Sequence, residues 1–486
     1  MSETSLKVNY LYRLVYEIII LIIPFVTTPY ISRVLGVDGV GDYSFTYSVI
    51  TYFMLFGALG TLNYGAREIA RVRDDRAQTS KVFWEIELMT VGTALVCLLV
   101  WVGFIVFGGR YSLLFLALTP FLLGTMFDIS WFFTGLERVK NIVIRNSLIK
   151  IIGIVLLFLM VKTKDDLILY CIINSCASLA GNLSMWFYLP KMLVKVDPGE
   201  FRFSHHLHET IAYFIPTIAV SIYTVLDKTL IGLITGSSAE NGYYEQATKI
   251  IRIVKSVVFL AMNSVMTARM SYLYAEERFD EIKEKLAKSL DMILLLGVGS
   301  VFGLLGISHR FVPVFFGAGY GPVEGLIYLM TPLIIIIGVS NCLEYQYYTP
   351  SGKRALSAKF VVSGAGINLI LNICLIPFFN SQGAVVASII AELVITGLYL
   401  KFCDGYLAVP TILKMLWKRV IAGVFMAPAV YGLGLIEMNG IVAVILQIVC
   451  GIAVYCIVLA VLKDKMLFEL FGLVSGKHRR INKRED

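Results

Sequence analysis

Long apolar runs follow one another along this chain, with only short charged clusters between them. They lie near 10–35, 43–67, 82–107, 112–135, 141–161, 167–189, 207–235, 243–269, 287–308, 324–349, 355–378, 382–403, 413–435 and 440–462. A run of about 20 apolar residues crosses a bilayer as a helix. Backbone amides and carbonyls in hydrocarbon must bond within their own segment, and the runs lack the two-residue alternation of barrel strands. The sequence therefore predicts an all-α integral membrane protein with about fourteen transmembrane helices. Charged residues make up 16% of the chain, against about 25% for soluble domains, and no polar stretch is long enough for a soluble catalytic domain. The first run is too long for a cleaved signal peptide, and no small-residue cleavage site follows it.

The net charge of +8 does not imply a nucleic-acid partner, because the basic residues sit in short loops between spans. Their distribution sets orientation. With the N-terminus inside, the inner segments carry clusters such as Arg67, Arg71, Arg73, Arg76 and Lys81, Arg269, Arg278, Lys283, Lys285 and Lys288, or Lys401, Lys414, Lys418 and Arg419. The outer segments hold only Arg110, Lys162, Lys164 and Arg310. This asymmetry predicts an even number of spans and both termini in the cytoplasm. The cysteines (Cys97, Cys171, Cys176, Cys342, Cys374, Cys403, Cys450 and Cys456) lie within or at the ends of apolar runs. Their spacing suits small buried hydrophobes rather than disulfides or metal.

A weak internal repeat divides the chain. Span 1 leads into "RVLGVDGVGDYS" (33–44) and span 7 into "GLITGSSAENGYYE" (232–245). Both are short outer turns ending at Gly-x-Tyr: Gly41-Asp42-Tyr43 and Gly242-Tyr243-Tyr244. Span 4 contains Thr119-Pro120 and ends "FFTGLERVK" (132–140); span 10 contains Thr331-Pro332 and ends "YYTPSGKRA" (347–355). An offset of six spans gives two halves of the same orientation, related by an axis along the membrane normal. The expected organisation is an N-terminal lobe at 1–190, an inter-lobe linker with an interfacial helix at 191–210, a C-terminal lobe at 211–405, and spans 13 and 14 with a basic cytoplasmic tail at 406–486.

The segments "ISRVLGVDGVGDYSFTYSVITYF" (31–53), "DISWFFTGLERVK" (128–140), "LDKTLIGLITGSSAENGYYEQATKI" (226–250) and "YTPSGK" (348–353) resemble the polysaccharide transporter family. These are Wzx-type flippases of lipid-linked oligosaccharides, within the multidrug/oligosaccharidyl-lipid/polysaccharide exporter superfamily. The resemblance implies two six-helix lobes around a central cavity that opens alternately to each side of a bacterial cytoplasmic membrane, with no enzymatic activity. The implied cargo is an undecaprenyl-pyrophosphate-linked oligosaccharide moved to the outer leaflet for capsule, O-antigen or exopolysaccharide synthesis. A polysaccharide polymerase would be its downstream partner.

Such a cargo has a diphosphate and a glycan that cannot cross hydrocarbon unaided. A cavity for it needs positive charge and hydrogen-bonding groups. Span 8 offers Lys249, Arg252 and Lys255 at spacings of three, with Asn263 and Ser264 deeper. Such spacing holds the cations on one broad side of a helix. Arg252 and Lys255 lie about 13 Å and 18 Å along the helix from Tyr243, too deep for easy snorkelling. Asp227 and Lys228 on span 7 and Arg33 at the end of span 1 complete the candidate binding set. The equivalent stretch of span 2, "YSFTYSVITYF" (43–53), supplies Ser and Tyr hydroxyls instead. Carboxylates within spans are candidates for a coupling proton or sodium ion: Glu392, Glu344, Asp128 and Glu17. Glu392 stands first, having no cation near it in its own span, while Asp128 sits close to the Trp131–Arg138 motif.

No phosphate-binding Gly-rich loop is present, so ATP is not expected to drive the cycle. No cofactor or metal is expected; "HHLH" (205–208) is a poor zinc signature. Gly299-x-x-x-Gly303 reads as close helix packing. The competing readings are a multidrug or lipid II exporter of the same superfamily and, in another class, a membrane polymerase or glycosyltransferase. The short outer loops, the longest around Gly317–Gly321, argue against the latter class.

Overall fold

The computed structural model describes residues 3–474, without the side chains of 3–22, 139–144, 200, 212–213, 215–217, 219–224, 260–265 and 473–474. The helices are α1 (Glu3–Ala58), α2 (Thr61–Val72), α3 (Arg76–Phe107), α4 (Ser112–Met126), α5 (Ser130–Gly135), α6 (Val139–Met160), α7 (Leu167–Met185) and α8 (Phe203–Thr235). They continue with α9 (Ser238–Ala275), α10 (Phe279–Phe316), α11 (Gly321–Met330), α12 (Pro332–Leu343), α13 (Arg354–Lys401), α14 (Val409–Gly434), α15 (Gly440–Val461) and α16 (Lys465–Val474). No strand occurs among the described residues, and eight stretches of them are long and apolar enough by themselves to cross a membrane.

Two helices are too long for a single crossing. The 56 residues of α1 are two spans that reverse at Gly36, whose φ of 69° is open to glycine without strain. The 48 residues of α13 fold back at Asn380 (φ 49°), a residue type that tolerates the left-handed region. Spans 1 and 2, and likewise 11 and 12, are thus joined by a single reversing residue rather than by a loop. Span 7 ends in the same manner: Gly236, at φ 61°, caps α8 by donating its N–H to Gly232 O before α9 begins. Spans 4 and 10 are each broken. Span 4 divides into α4 and α5 at 127–129; span 10 divides at Thr331-Pro332 and ends in a π-helical turn over 344–348.

The chain forms two compact units, Met1–Gly242 and Tyr243–Asp486. The expected linker segment lies inside the first. There, residues 203–210 are the opening turns of α8, and His206 is buried rather than at a surface. In the first unit the Trp131–Arg138 motif packs α5 onto α2 and α3. Trp131 stacks on Phe83, with ring centroids 5.6 Å apart, and a Cβ at Gly65 would fall 2.5 Å from the Trp131 ring. In the second unit the "YTPSGK" segment closes on the loop after α13. Tyr347 Oη donates to Asp404 Oδ2 (2.6 Å), Lys353 pairs with the same carboxylate, and Tyr348 Oη donates to Tyr399 O (2.8 Å). A Cβ at Gly299 or Gly303 would meet Tyr455 of α15 at 3.1 Å or Met426 of α14 at 3.0 Å, in line with the expected packing role.

Some basic residues counted among the inner loops are internal clamps. Arg419 is 1% exposed and pairs with Asp291 Oδ1 (2.7 Å) and Asp464 Oδ2 (3.6 Å), tying α14 to α10 and to the turn after α15. Arg145, also buried, donates to the carbonyl of Gly181 on α7.

Candidate functional site

In the second unit, the cations of α9 differ in setting. Lys249 pairs with Glu245 one turn earlier (3.3 Å). Lys255 is half-buried, and its electrostatic neighbours are Glu392 of α13 and Arg252. Glu392 therefore has a cation after all: the neighbour comes from another helix, which span-by-span reading cannot see. Glu344, at the start of the π-helical turn, acts electrostatically on the same Glu392. The structure thus assembles Lys255, Glu392 and Glu344 from three elements, with Arg252 one turn away. Arg252 is exposed. A guanidinium at that depth requires a hydrated path or an anionic ligand, because lipid would not solvate it.

In the first unit, the two Gly-x-Tyr landmarks of the repeat meet. A Cβ at Gly41 would fall 1.7 Å from Ser238 O, and one at Gly242 would fall 2.3 Å from Val37 O. Only glycine permits the second half of α1 to approach the start of α9 this closely. Ser238 Oγ donates to Asp42 Oδ1, and Arg110 donates to Gly236 O (3.1 Å) and Ser238 Oγ (3.4 Å). About two turns further along α1, Ser48 Oγ and Thr229 Oγ1 are 2.8 Å apart, and Thr229 also bonds Tyr52 Oη (3.1 Å). A groove of ≈ 920 Å³ runs alongside, walled by Phe45, Tyr52, Phe104, Arg110 and Thr229.

Asp227 is buried on α8, with Lys228 half-buried beside it, whereas Arg33 is exposed on α1 just before the Gly36 reversal. Asp128 lies in the break of span 4, where its Oδ1 accepts from Ser130 N (3.0 Å). The side chains of Glu17, Asn263 and Ser264 lie outside the described residues.

Sequence reading passed over Glu85 and Glu87, although both follow Lys81 into span 3. Glu85 is 4% exposed; its Oε2 bonds His206 Nε2 (2.9 Å) and its Oε1 accepts from Arg202 N (2.7 Å). His206 Nδ1 lies 2.7 Å from Tyr64 Oη, so the "HHLH" segment docks α8 onto α2 and α3. Glu87 is 1% exposed. Two acids so close together in an apolar run were the signal for them. Among the described residues no group of three or more His, Cys, Asp or Glu could hold a metal ion.

Comparison with known proteins places this geometry in context. The profile of a family described as "Polysaccharide biosynthesis protein" matches residues 6–272. A "Putative O-antigen transporter" of Escherichia coli (strain K12) is 24% identical over 407 residues, which is 82% of this chain and 97% of that protein. A "Probable low-salt glycan biosynthesis flippase Agl15" of Haloferax volcanii is 22% identical, over 55% of this chain and 56% of that protein. Among solved structures, "Lipid II flippase MurJ, inward closed conformation" superposes with a TM-score of 0.66 at 17% identity, over 90% of this chain and 98% of that one. An inward-facing multidrug resistance MATE family transporter of the MOP superfamily gives 0.55 at 11% identity, over 81% and 98%. At these identities the two structures bear on the fold alone.

Proposed function

We propose, from the premise that this chain belongs to the polysaccharide biosynthesis protein family, that it is a flippase carrying lipid-linked oligosaccharide from the inner to the outer leaflet of a bacterial cytoplasmic membrane. The substrate is an undecaprenyl-pyrophosphate-linked repeat unit, both termini are cytoplasmic, and the cycle is alternating access driven by an ion gradient rather than ATP. The observation that carries this reading is the cationic stretch of α9. Arg252 and Lys255 sit at a membrane depth where cations are costly unless they serve a ligand. A diphosphate is the part of such a cargo that needs them. Lys249, Lys228, Asp227 and Arg33 are the outlying members of the binding set. Glu392, with Glu344 acting on it in turn, holds Lys255 electrostatically between substrates and releases it to the diphosphate.

The paired glycines Gly41 and Gly242 support the second half of the reading. They allow the outer ends of spans 2 and 8 to touch backbone to backbone, which closes the outer face, and their parting opens it. The polar links at this contact include Asp42–Ser238, which is half-buried, and Arg110–Gly236, which is exposed and can exchange with water. Deletion of the gene tests the assignment. Cells without the protein should accumulate sugar-loaded carrier lipid on the inner face and gain no sensitivity to drugs. Drug sensitivity without carrier accumulation would instead assign it to multidrug export.

A further inference from the structure

The groove in the first unit has a build that the transport reading leaves unused. It lies among the second half of α1, the end of α3 and the end of α8, with a volume of ≈ 920 Å³. Ligand pockets span about 300–1,000 Å³ and are mostly apolar, with a few polar groups that fix orientation. The walls here are Phe45 and Phe53 of α1, Val100 and Phe104 of α3, and Leu233 of α8. The rim is open: Phe107 is 87% exposed and Leu233 65%. On membrane-spanning helices such side chains meet lipid tails.

Polarity changes from one end of the groove to the other. From Gly108 to Val100 on α3, and from Phe45 to Phe53 on α1, the lining runs for about 12 Å. One leaflet of hydrocarbon is about 15 Å deep, half of a core about 30 Å thick. At the deep end, Thr229 donates to Tyr52 Oη (3.1 Å) and lies 2.8 Å from Ser48 Oγ, so these hydroxyls satisfy one another. At the other end stands Arg110, the one charged side chain of the lining.

Arg110 is only half engaged. Its Nη2 donates to Gly236 O (3.1 Å), to Ser238 Oγ (3.4 Å) and to Tyr111 Oη, and its guanidinium lies 4.5 Å from the centre of the Tyr111 ring. Among the described residues no acceptor meets its Nε or Nη1, and no carboxylate pairs with it; Asp42 takes the Ser238 hydroxyl instead. Outer segments of this chain are poor in cations, so the orientation signal does not account for an arginine here.

We propose that the groove binds an acidic phospholipid of the outer leaflet. One acyl chain lies along the aromatic walls, and the phosphodiester sits on the free donors of Arg110. A guanidinium offers a planar fork of N–H groups that fits phosphate. Length decides the occupant: an acyl chain reaches toward the middle of the bilayer, as the groove does, whereas a polyprenyl tail is far longer than the groove. Because Nη2 stays on Gly236 and Ser238, the lipid and the turn between α8 and α9 share one guanidinium, and bound lipid stiffens that turn. The site needs only a membrane-inserted chain and stands apart from the flippase assignment; the leaflet follows from the proposed topology.

The test measures lipid retained by the purified full-length protein in detergent, by native mass spectrometry. The probes are phosphatidylglycerol, phosphatidylcholine, undecaprenyl phosphate and glycerol 3-phosphate. The wild type should prefer phosphatidylglycerol over phosphatidylcholine by about tenfold, the worth of one charge-assisted contact. Arg110→Gln should erase that preference. Gly103 also lines the groove, and a Cβ there would meet nothing within 4 Å. Gly103→Leu therefore fills open space while favouring the helix. It should lower retention of both phospholipids, with no fall in thermal midpoint in lipid-free detergent. No preference in the wild type, or phosphatidylglycerol retention unchanged in either variant, would overturn the proposal. Tighter binding of undecaprenyl phosphate that Gly103→Leu abolishes would overturn it in favour of the carrier lipid. Displacement of phosphatidylglycerol by glycerol 3-phosphate would overturn it in favour of a free-phosphate site.

Discussion

Arg252 and Lys255 face different demands within one helical turn. Lys255 has Glu392 as its electrostatic neighbour, while Arg252 stands exposed. If both bind the diphosphate, each contributes a charge-assisted contact of about 1.5–3 kcal/mol. Replacing either with Ala should then lower flipping by about tenfold or more, with membrane insertion unchanged. Arg252→Lys should be milder, because charge is retained. Flipping rates normalised to the amount of inserted protein check this. Arg419 makes the contrasting case. It is an enclosed structural clamp, and Arg419→Ala leaves Asp291 and Asp464 without their cation, so it should cost about 3–5 kcal/mol of stability, read as a fall in thermal midpoint in detergent. The charge count set Arg419 in an inner segment and Arg252 within a span, the reverse of their burial: Arg419 is enclosed and Arg252 is exposed.

At the scale of elements, the repeat-related glycines and the loop latch carry the account. Gly41→Val and Gly242→Val should each prevent the contact between α1 and the start of α9, since even a Cβ collides with backbone there. Both variants should insert normally, yet cysteines placed at Val37 and Ser238 should become readily accessible to a thiol reagent from the outer side. The latch between Lys353, Tyr347 and Asp404 gives a pH dependence. The Lys353 ammonium, and after it the Tyr347 hydroxyl, hold the Asp404 carboxyl below the usual carboxylate range. A carboxyl lowered in the folded state stabilises the protein above its unfolded value and loses that contribution as pH falls through the folded value. The stability difference between wild type and Asp404→Asn should therefore be present at neutral pH and close below about pH 4. Because the site is exposed, the difference should be no more than about 1 kcal/mol. The spans were legible in the sequence because apolar length is a composition signal. The reversals at Gly36 and Asn380 were not, since a single left-handed residue leaves the apolar pattern on either side unchanged. The Gly-x-Tyr repeat was visible, but its purpose was not, because close backbone approach is a property of two segments at once.

For the whole molecule, the proposed topology, argued from the distribution of basic residues, has both termini and the loops near Arg73, Arg138, Lys195, Arg278, Lys353 and Lys414 in the cytoplasm. Reporter fusions at these loops and at the C-terminus should all report the inner side. The candidate site was legible only in part. Sequence reading could propose the cations of span 8 because three charges in an apolar run stand out, but it could not pair Lys255 with Glu392, which lies 137 residues away. It also passed over Glu87, whose character comes from what surrounds it rather than from its neighbours in sequence. The central claim is that this chain carries a lipid-linked oligosaccharide across the bilayer through its cationic helix. The most direct measurement is flipping of labelled undecaprenyl-pyrophosphate oligosaccharide in vesicles of the purified protein, followed as accessibility of the sugar to an impermeant reagent. The account predicts rapid flipping by the wild type without ATP and loss of it in the Arg252→Ala, Lys255→Ala double variant; equal flipping by wild type and double variant, or none above protein-free vesicles, would contradict it.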